Sequence, residues 1–304
     1  MTGKALCLLG PTGAGKTLAG LALAKAFSGS VINFDSRQVY QGLAVTTAQP
    51  TPEEAGQCPH LLYGFLDPAK AVTAGEFAAL ARQAMAQVRQ AGRLPILVGG
   101  TGLYLRAILD GLAAIPAVDQ AVRAGLSRDW QTLGPQAMHG RLLAVDPVYG
   151  GKIHPNDRQR ILRALEVFLA TGRPFSAWHA GGAEAYPGPC LKMGLCLDKK
   201  DLTARLARRI QAMMAAGALE EMEKAVSLCP DPMAPGLTGI GCAELAAHLR
   251  GEMTLDEALE AWLANTKAYA KRQMTWFKKM PEVRWFGPEQ TQAMLEAAEQ
   301  WLRS

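Results

Sequence analysis

Gly10-Pro11-Thr12-Gly13-Ala14-Gly15-Lys16-Thr17 satisfies every fixed position of the phosphate-binding loop pattern G-x-x-x-x-G-K-[ST]. Glycines let successive backbone N–H groups turn inward onto phosphate oxygens, Lys16 adds a cation, and the Thr17 hydroxyl is placed to ligate Mg²⁺. The flanks supply the order the motif needs. Leu6-Cys7-Leu8-Leu9 reads as a buried strand and Leu18-Ala19-Gly20-Leu21-Ala22-Leu23-Ala24 as a helix. These eight residues are therefore expected to hold a diphosphate at the end of a core strand, the alternative being a Gly-rich turn that holds nothing.

Working outward, Val31-Ile32-Asn33-Phe34 reads as a second strand, and Asp35-Ser36-Arg37-Gln38 leaves its carboxyl end. Ligands of open α/β sheets sit beyond those strand ends, which puts Asp35 on the same edge as the phosphate loop. Asp35 could equally cap a helix that follows. The stretch 46–68, with Pro50, Pro52, Pro59 and Pro68, is expected to be mostly loop. Residues 73–90 carry helical spacing, ended by Gly92, and Leu94-Pro95-Ile96-Leu97-Val98 is a buried strand running into Gly99-Gly100-Thr101-Gly102. Motor and switch ATPases ordinarily place a Mg²⁺-holding aspartate there, and no [NT]-K-x-D guanine signature occurs. Thr101 offers a neutral hydroxyl where a carboxylate would repel diphosphate, or it caps the helix 103–109.

From Pro116 to about Tyr186 the strand and helix alternation stops, and helical patterns follow one another: 120–133, 135–145, 154–171 and a short one at 175–179. A helix starting at Pro155, a favoured first position, would place Arg160 and Arg163 on one face, away from most of its apolar residues Ile161, Leu162, Leu165, Phe168 and Leu169. Residues 191–197 return to strand character, and Asp201 is expected to cap an arginine-rich helix. Its Arg205, Arg208 and Arg209 lie within about one turn. Arg205 and Arg209 are the candidates to close on phosphates, against a solvated basic face. Thr254 with Glu257 forms a capping box opening a helix toward Lys279, in which Lys267, Lys271 and Lys278 make one stripe. Tyr269, Trp276 and Phe277 lie among them and at this spacing read as core. The expected class is α/β: a P-loop NTPase-like parallel sheet flanked by helices, residues 1–115 and 187–304, with an all-helical insertion, residues 116–186.

Net charge is +5, and it is concentrated. Lys152, Arg158, Arg160, Arg163 and Arg173 oppose Asp157 and Glu166, while Lys267, Lys271, Arg272, Lys278, Lys279 and Arg284 oppose Glu282 alone. Such blocks suit a polyanion as well as they suit a solvated helix face. The six cysteines show neither C-x-x-C nor a histidine-linked spacing, so reduced thiols are expected, with no zinc site and no disulfide framework. No charged leader or membrane-length apolar run is present, and a monomeric cytoplasmic protein is the expectation.

The chain resembles the tRNA dimethylallyltransferase family, enzymes that prenylate the adenosine next to the anticodon. The resemblance covers nearly the whole chain. It rests on the phosphate loop, on Asp35-Ser36-Arg37-Gln38-Val39-Tyr40, and on Leu97-Val98-Gly99-Gly100-Thr101-Gly102-Leu103-Tyr104. It rests further on Ile153-His154-Pro155-Asn156-Asp157-Arg158-Gln159-Arg160 with Arg163-Ala164-Leu165-Glu166-Val167, and on Ala270-Lys271-Arg272-Gln273-Met274-Thr275-Trp276-Phe277. It implies dimethylallyl diphosphate and tRNA as substrates, Asp35 as general base and Thr101 as a phosphate and tRNA contact. The tRNA-contacting segments it implies are Asp35, Ser36, Arg37 and Gln38, then Gln159, Arg160, Ile161, Leu162 and Arg163, with Arg123 from the insertion; Lys271 joins them from the basic stripe. The sequence departs from the family where Asp-Ile-Gly-Thr-Ala-Lys-Pro is replaced by Ala44-Val45-Thr46-Thr47-Ala48-Gln49-Pro50. Further departures are Leu61 for a histidine, Gln211 for an aspartate, Cys242 for a tyrosine and Lys267 for an arginine. The rival readings are a small-molecule kinase, which would turn over ATP, and a nucleotide-regulated RNA-binding protein, which would make no product.

Overall fold

The computed structural model describes residues 3–113, 115–116, 118–179 and 185–304 of the chain. Two units are separately packed: Met1–Leu109 with Tyr186–Ser304, and Asp110–Ala185. The seam falls at 110 and 185, where the sequence pattern suggested 116 and 186; Tyr186 belongs to the larger unit, its N–H donating to the Leu109 carbonyl at 2.8 Å.

In the larger unit the chain runs β1 (Ala5–Leu9), α1 (Lys16–Ala26), β2 (Gly29–Asn33), α2 (Pro52–Gln57), β3 (His60–Leu61), α3 (Ala74–Gln90), β4 (Leu94–Gly99) and α4 (Gly102–Leu109). The smaller unit holds α5 (Gln120–Val145), α6 (Pro147–Gly150), α7 (Arg158–Thr171) and α8 (Phe175–His179). The larger unit resumes with β5 (Cys190–Leu195), α9 (Lys199–Ala215), α10 (Ala218–Leu228), α11 (Cys242–Leu249), α12 (Leu255–Phe277), β6 (Val283–Phe286) and α13 (Thr291–Arg303). Among the described residues no helix is long and apolar enough to cross a membrane.

The six strands are parallel in the order β3-β2-β4-β1-β5-β6. Because β1 and β2 flank β4, the α1 crossover skips a position, and such a reversal opens a crevice at the carboxyl edge of the strands. Every residue of β1, β2 and β4 is buried, which is why their sequences are continuous apolar runs rather than alternating ones. Leu6, Leu8, Leu23, Ile96 and Met193 belong to one core that α1 and α13 cover. This rigid layer ends at Leu9, Asn33 and Gly99, and the segments that leave those three strand ends form the site.

Several local expectations change in the structure. Within 46–68, Thr51 and Glu54 exchange hydrogen bonds as a capping box around Pro52, which nucleates α2, and His60–Leu61 pairs with β2. The rest of the stretch is loop, as its prolines suggested. Helix α7 begins at Arg158 rather than Pro155, since the Asp157 carboxylate accepts the Arg160 N–H and acts as the cap. Leu169 on that helix is 60% exposed. Asp198, not Asp201, is the residue before α9; Asp201 sits in the first turn, where its charge favours the helix dipole. Helix α12 ends at Phe277, short of Lys279.

The smaller unit packs α5 and α7 around Leu126, Met138, Leu142, Ile161, Leu162 and Leu165. Helix α5 breaks at Gly134 (φ 78°) ahead of Pro135, giving the two helical stretches that the spacing suggested. Buried Asp146 ties α6 to α8: it accepts the Tyr149 N–H at 3.0 Å, and the Ser176 N–H and hydroxyl at 2.7 Å each. Burial pushes its carboxyl up, but these hydrogen bonds outweigh burial and hold it below the usual range.

Candidate active site

The loop Gly10–Thr17 connects β1 to α1. Gly15 precedes the helix with φ 90°, a conformation that a side chain would strain. Helix α9 closes over the loop, where Leu206 and Leu202 come so near Gly13 that a Cβ there would lie 2.8 Å from Leu206 Cδ2. Lys16 Nζ donates to the carbonyls of Gly10 (2.9 Å) and Pro11 (2.8 Å). Burial lowers its pKa to about 8, against the raising effect of Asp35 and with a further lowering from Arg209. Arg209 is lowered by burial as well, offset by Asp35 and then Glu54. Lys16 and Arg209, both half-buried, and Asp35 thus lie within one another's electrostatic reach, and the two cations suit a bound polyanion. Arg205 and Arg208 are exposed.

Asp35 caps no helix. Its Oδ1 accepts the Arg37 N–H at 2.9 Å, and its backbone is fixed by Asn33, whose Oδ1 accepts the Asp35 N–H (2.7 Å) and whose Nδ2 donates to the Asp35 carbonyl (3.1 Å). Thr101 does not cap α4 with its side chain either. Its Oγ1 accepts the Ser36 N–H at 2.9 Å and hydrogen bonds the Ser36 hydroxyl at 3.2 Å. The ends of β2 and β4 are therefore stitched together beside the loop.

The two residues after Ser36 face inward. Arg37 Nη2 donates to the carbonyls of Pro235 (2.9 Å) and Gly236 (2.8 Å), and Gln38 Nε2 donates to Thr47 (3.3 Å) and Ala48 (2.5 Å). Their side chains brace loops, so an RNA contact from this segment falls to its backbone and to Asp35 and Ser36. Gln49, in the familial lysine position, donates to the Tyr40 carbonyl at 2.8 Å. Its stretch is anchored further by Glu221, which accepts the N–H groups of Val45 (2.8 Å) and Thr46 (2.7 Å).

Helix α12 completes the wall, through Gln273, Tyr269 and Trp276, to none of which the sequence assigned a role in the site. Gln273 is buried; its Oε1 accepts the Thr12 N–H at 2.9 Å and its Nε2 donates to the Gly100 carbonyl at 2.8 Å. A Cβ at Gly100 would collide with that amide and lie 3.1 Å from Asp35 Oδ2, which accounts for the glycine. The Tyr269 hydroxyl lies beside the Thr101 side chain; burial and then the Asp35 charge push it far up, against a lowering from Thr101. The Trp276 indole lies against Gly102 and is 37% exposed, so of the three aromatics expected in the core only Phe277 is fully buried. Lys267, Lys271 and Lys278 are all exposed on the opposite side.

In the smaller unit, Glu166 receives two of the candidate RNA contacts, Arg123 Nε at 3.3 Å and Arg163 Nη1 at 3.2 Å, while Arg160 pairs with Asp157 at 3.3 Å. Gln159 is exposed on α7, whereas Ile161 and Leu162 are buried core. The two hydrophobic residues set the helix in place and leave surface contacts to Gln159, Arg160 and Arg163.

A glycine-rich loop ahead of a helix, a half-buried lysine and arginine, and a carboxylate at the next strand end define an α/β protein of the P-loop kind. Comparison with known proteins narrows the class. The family model described as IPP transferase matches residues 38–280, and the chain belongs to that family. It is 48% identical to a tRNA dimethylallyltransferase of Nitratidesulfovibrio vulgaris strain Miyazaki F, covering 99% of this chain and 94% of that protein. To the tRNA dimethylallyltransferase of Desulfovibrio desulfuricans it is 50% identical, over 96% and 91% of the two chains. The crystal structure of the full-length tRNA isopentenylpyrophosphate transferase of Bacillus halodurans superposes with a TM-score of 0.73 at 32% identity, covering 99% of this chain and 97% of that one. A eukaryotic dimethylallyltransferase acting on tRNA superposes with a TM-score of 0.75 at 27% identity, over 92% and 71%.

Proposed function

We propose that this chain transfers the dimethylallyl group of dimethylallyl diphosphate to the N6 amine of the adenosine 3′-adjacent to the tRNA anticodon, releasing diphosphate. The carrying observation is the placement of Asp35, an acceptor-side carboxylate, within the electrostatic reach of Lys16 and Arg209. A donor whose leaving group is a diphosphate and an acceptor that must lose a proton need such a pair. Membership in the family and the names of the relatives support the same reading and give the kinase alternative no support.

The N6 lone pair forms a bond to C1 of the donor while the C1–O bond breaks and its electron pair leaves with the diphosphate. Lys16, Arg209 and the loop N–H groups stabilise charge that grows on the leaving oxygens, and such preorganised donors in a dry site are worth several kcal/mol, about 2.7–4 for one donor. Asp35 takes the N6 proton as the carbon–nitrogen bond forms, a general-base contribution of about 10² to 10⁴ in rate. Thr101, held by Ser36, presents a neutral hydroxyl beside the reacting atoms. The adenine must leave its stack to reach this edge of the sheet. Its RNA would be gripped by Lys271 on α12 and by Arg123, Arg160 and Arg163 on the smaller unit.

Mg²⁺ fits the donor set as a companion of the diphosphate. The Thr17 hydroxyl stands in the first turn of α1, directly after Lys16, and among the described residues no three acidic, cysteine or histidine side chains cluster into a cage. That chemistry suits an ion held by one or two protein oxygens, phosphate oxygens and water. When bound it would neutralise diphosphate charge. We propose a monomer acting on tRNA and dimethylallyl diphosphate. Mass analysis of nucleosides from tRNA incubated with the chain and dimethylallyl diphosphate tests the reading: an adenosine heavier by one dimethylallyl group is expected, and unmodified nucleosides overturn it.

A further inference from the structure

Three positions on one face of α12 meet three consecutive residues after β4. Gln273 bonds to Gly100, Tyr269 lies beside Thr101, and Trp276 packs on Gly102. At 3.6 residues per turn this face lies roughly opposite the exposed stripe Lys267, Lys271 and Lys278. Of these side chains only Gln273 also reaches the phosphate loop, spending its Oε1 on Thr12 N–H and its Nε2 on Gly100 O. Both arms are 2.8 to 2.9 Å long and the residue is 5% exposed.

A neutral primary amide is well suited to this place. It accepts from one strand-end segment and donates to the other, which neither a carboxylate nor an ammonium can do. A fixed charge beside Lys16 and Asp35 would perturb both. The loop that holds the donor's diphosphate and the segment that carries Thr101 leave different strands, and each could shift independently along the sheet edge. We infer that Gln273 is a positioning residue that fixes the donor half of the site against the acceptor half, and that α12 carries this register to the helix face proposed to grip RNA.

The inference rests on the transferase reading above. Misplacement of reacting groups by about 1 Å costs on the order of 10²-fold in rate, so Gln273→Met, similar in length and without either hydrogen bond, is expected to lower the single-turnover rate constant by about that factor. The reaction amplitude with enzyme in excess counts folded enzyme; it should stay near that of the parent, whereas a merely structural role would lower amplitude and leave the rate constant alone. Gln273→Glu separates the two arms. Its carboxylate still accepts from Thr12, but it opposes the Gly100 carbonyl until it gains a proton and can donate. The ratio of its rate constant to the parent's should therefore rise toward acid, approaching the parent's once the carboxyl is neutral and no longer perturbs the charges beside it. An active parent with either variant within about threefold of it at every pH, or with the loss confined to amplitude, overturns the inference alone. A parent that makes no prenylated adenosine overturns the reading beneath it, and the inference falls with it.

Discussion

Asp35→Asn removes the proposed base while sparing the scaffold. The replacement keeps an Oδ1 that can accept the Arg37 N–H now bonded at 2.9 Å, and the Asn33 contacts at 2.7 and 3.1 Å involve only the residue 35 backbone. Loss of general-base catalysis should lower the single-turnover rate constant by about 10² to 10⁴, with tRNA still bound. A second effect follows from the charge. Lys16 sits at about 8 because burial lowers it and Asp35 partly restores it. Its cation is fully present below that value and is lost as pH rises through it, so kcat/KM for the donor in the parent should decline above about pH 8, since that ratio reports the free enzyme. Without the Asp35 charge the lysine drops further, and the decline should begin at lower pH. Quenched-flow measurement of prenylated adenosine across pH gives both numbers. A rate constant within about threefold of the parent near neutral pH refutes the base assignment, and an unmoved alkaline limb refutes the coupling of Asp35 to Lys16.

Removing Arg123, Arg160 or Lys271 should raise the tRNA dissociation constant and flatten its log-log salt dependence by about one unit for each phosphate that the variant no longer neutralises; unchanged slopes in all three variants return these charges to solvent. Thr17→Ala should depress diphosphate release from dimethylallyl diphosphate more at limiting than at saturating Mg²⁺. Release should require an adenosine-bearing tRNA, and ATP should not be consumed; brisk ATP turnover sinks the prenyl-transfer reading. Asp146 is held below the usual carboxylate range, so its contribution to the smaller unit is present above the unfolded value and lost as pH falls through the folded one. Asp146→Asn, which sets an amide donor against the Ser176 N–H or the Tyr149 N–H, should cost about 1–3 kcal/mol by thermal or denaturant unfolding, with less pH dependence on the acid side than the parent.

The phosphate loop, the carboxylate after β2 and the glycine-rich end of β4 were legible in the sequence because each is a local demand. A loop that turns its amides inward needs glycine at set spacings, and a strand buried on both faces needs an unbroken apolar run, so pattern and structure coincide at Gly10–Thr17 and at Leu94–Gly99. The helical insertion was legible for the same reason, since its periodicity changes where the sheet stops. A boundary error arose where two local signals competed, Pro155 against the Asp157 cap, while the short helix that the Thr51 and Glu54 capping box opens lies within a stretch that is mostly loop, as its prolines suggested. The tertiary structure decided what side chains do once distant segments meet. It turned Arg37 and Gln38 inward as braces, brought Arg209 into the field of Lys16 while leaving Arg205 exposed, and gathered Arg123 and Arg163 on Glu166. It also placed Gln273 between Thr12 and Gly100, partners 261 and 173 residues away. No periodicity carries such information, because hydrogen bonds across that separation depend on where the sheet order puts α12, and a buried glutamine and an exposed one are the same letter until the chain has folded.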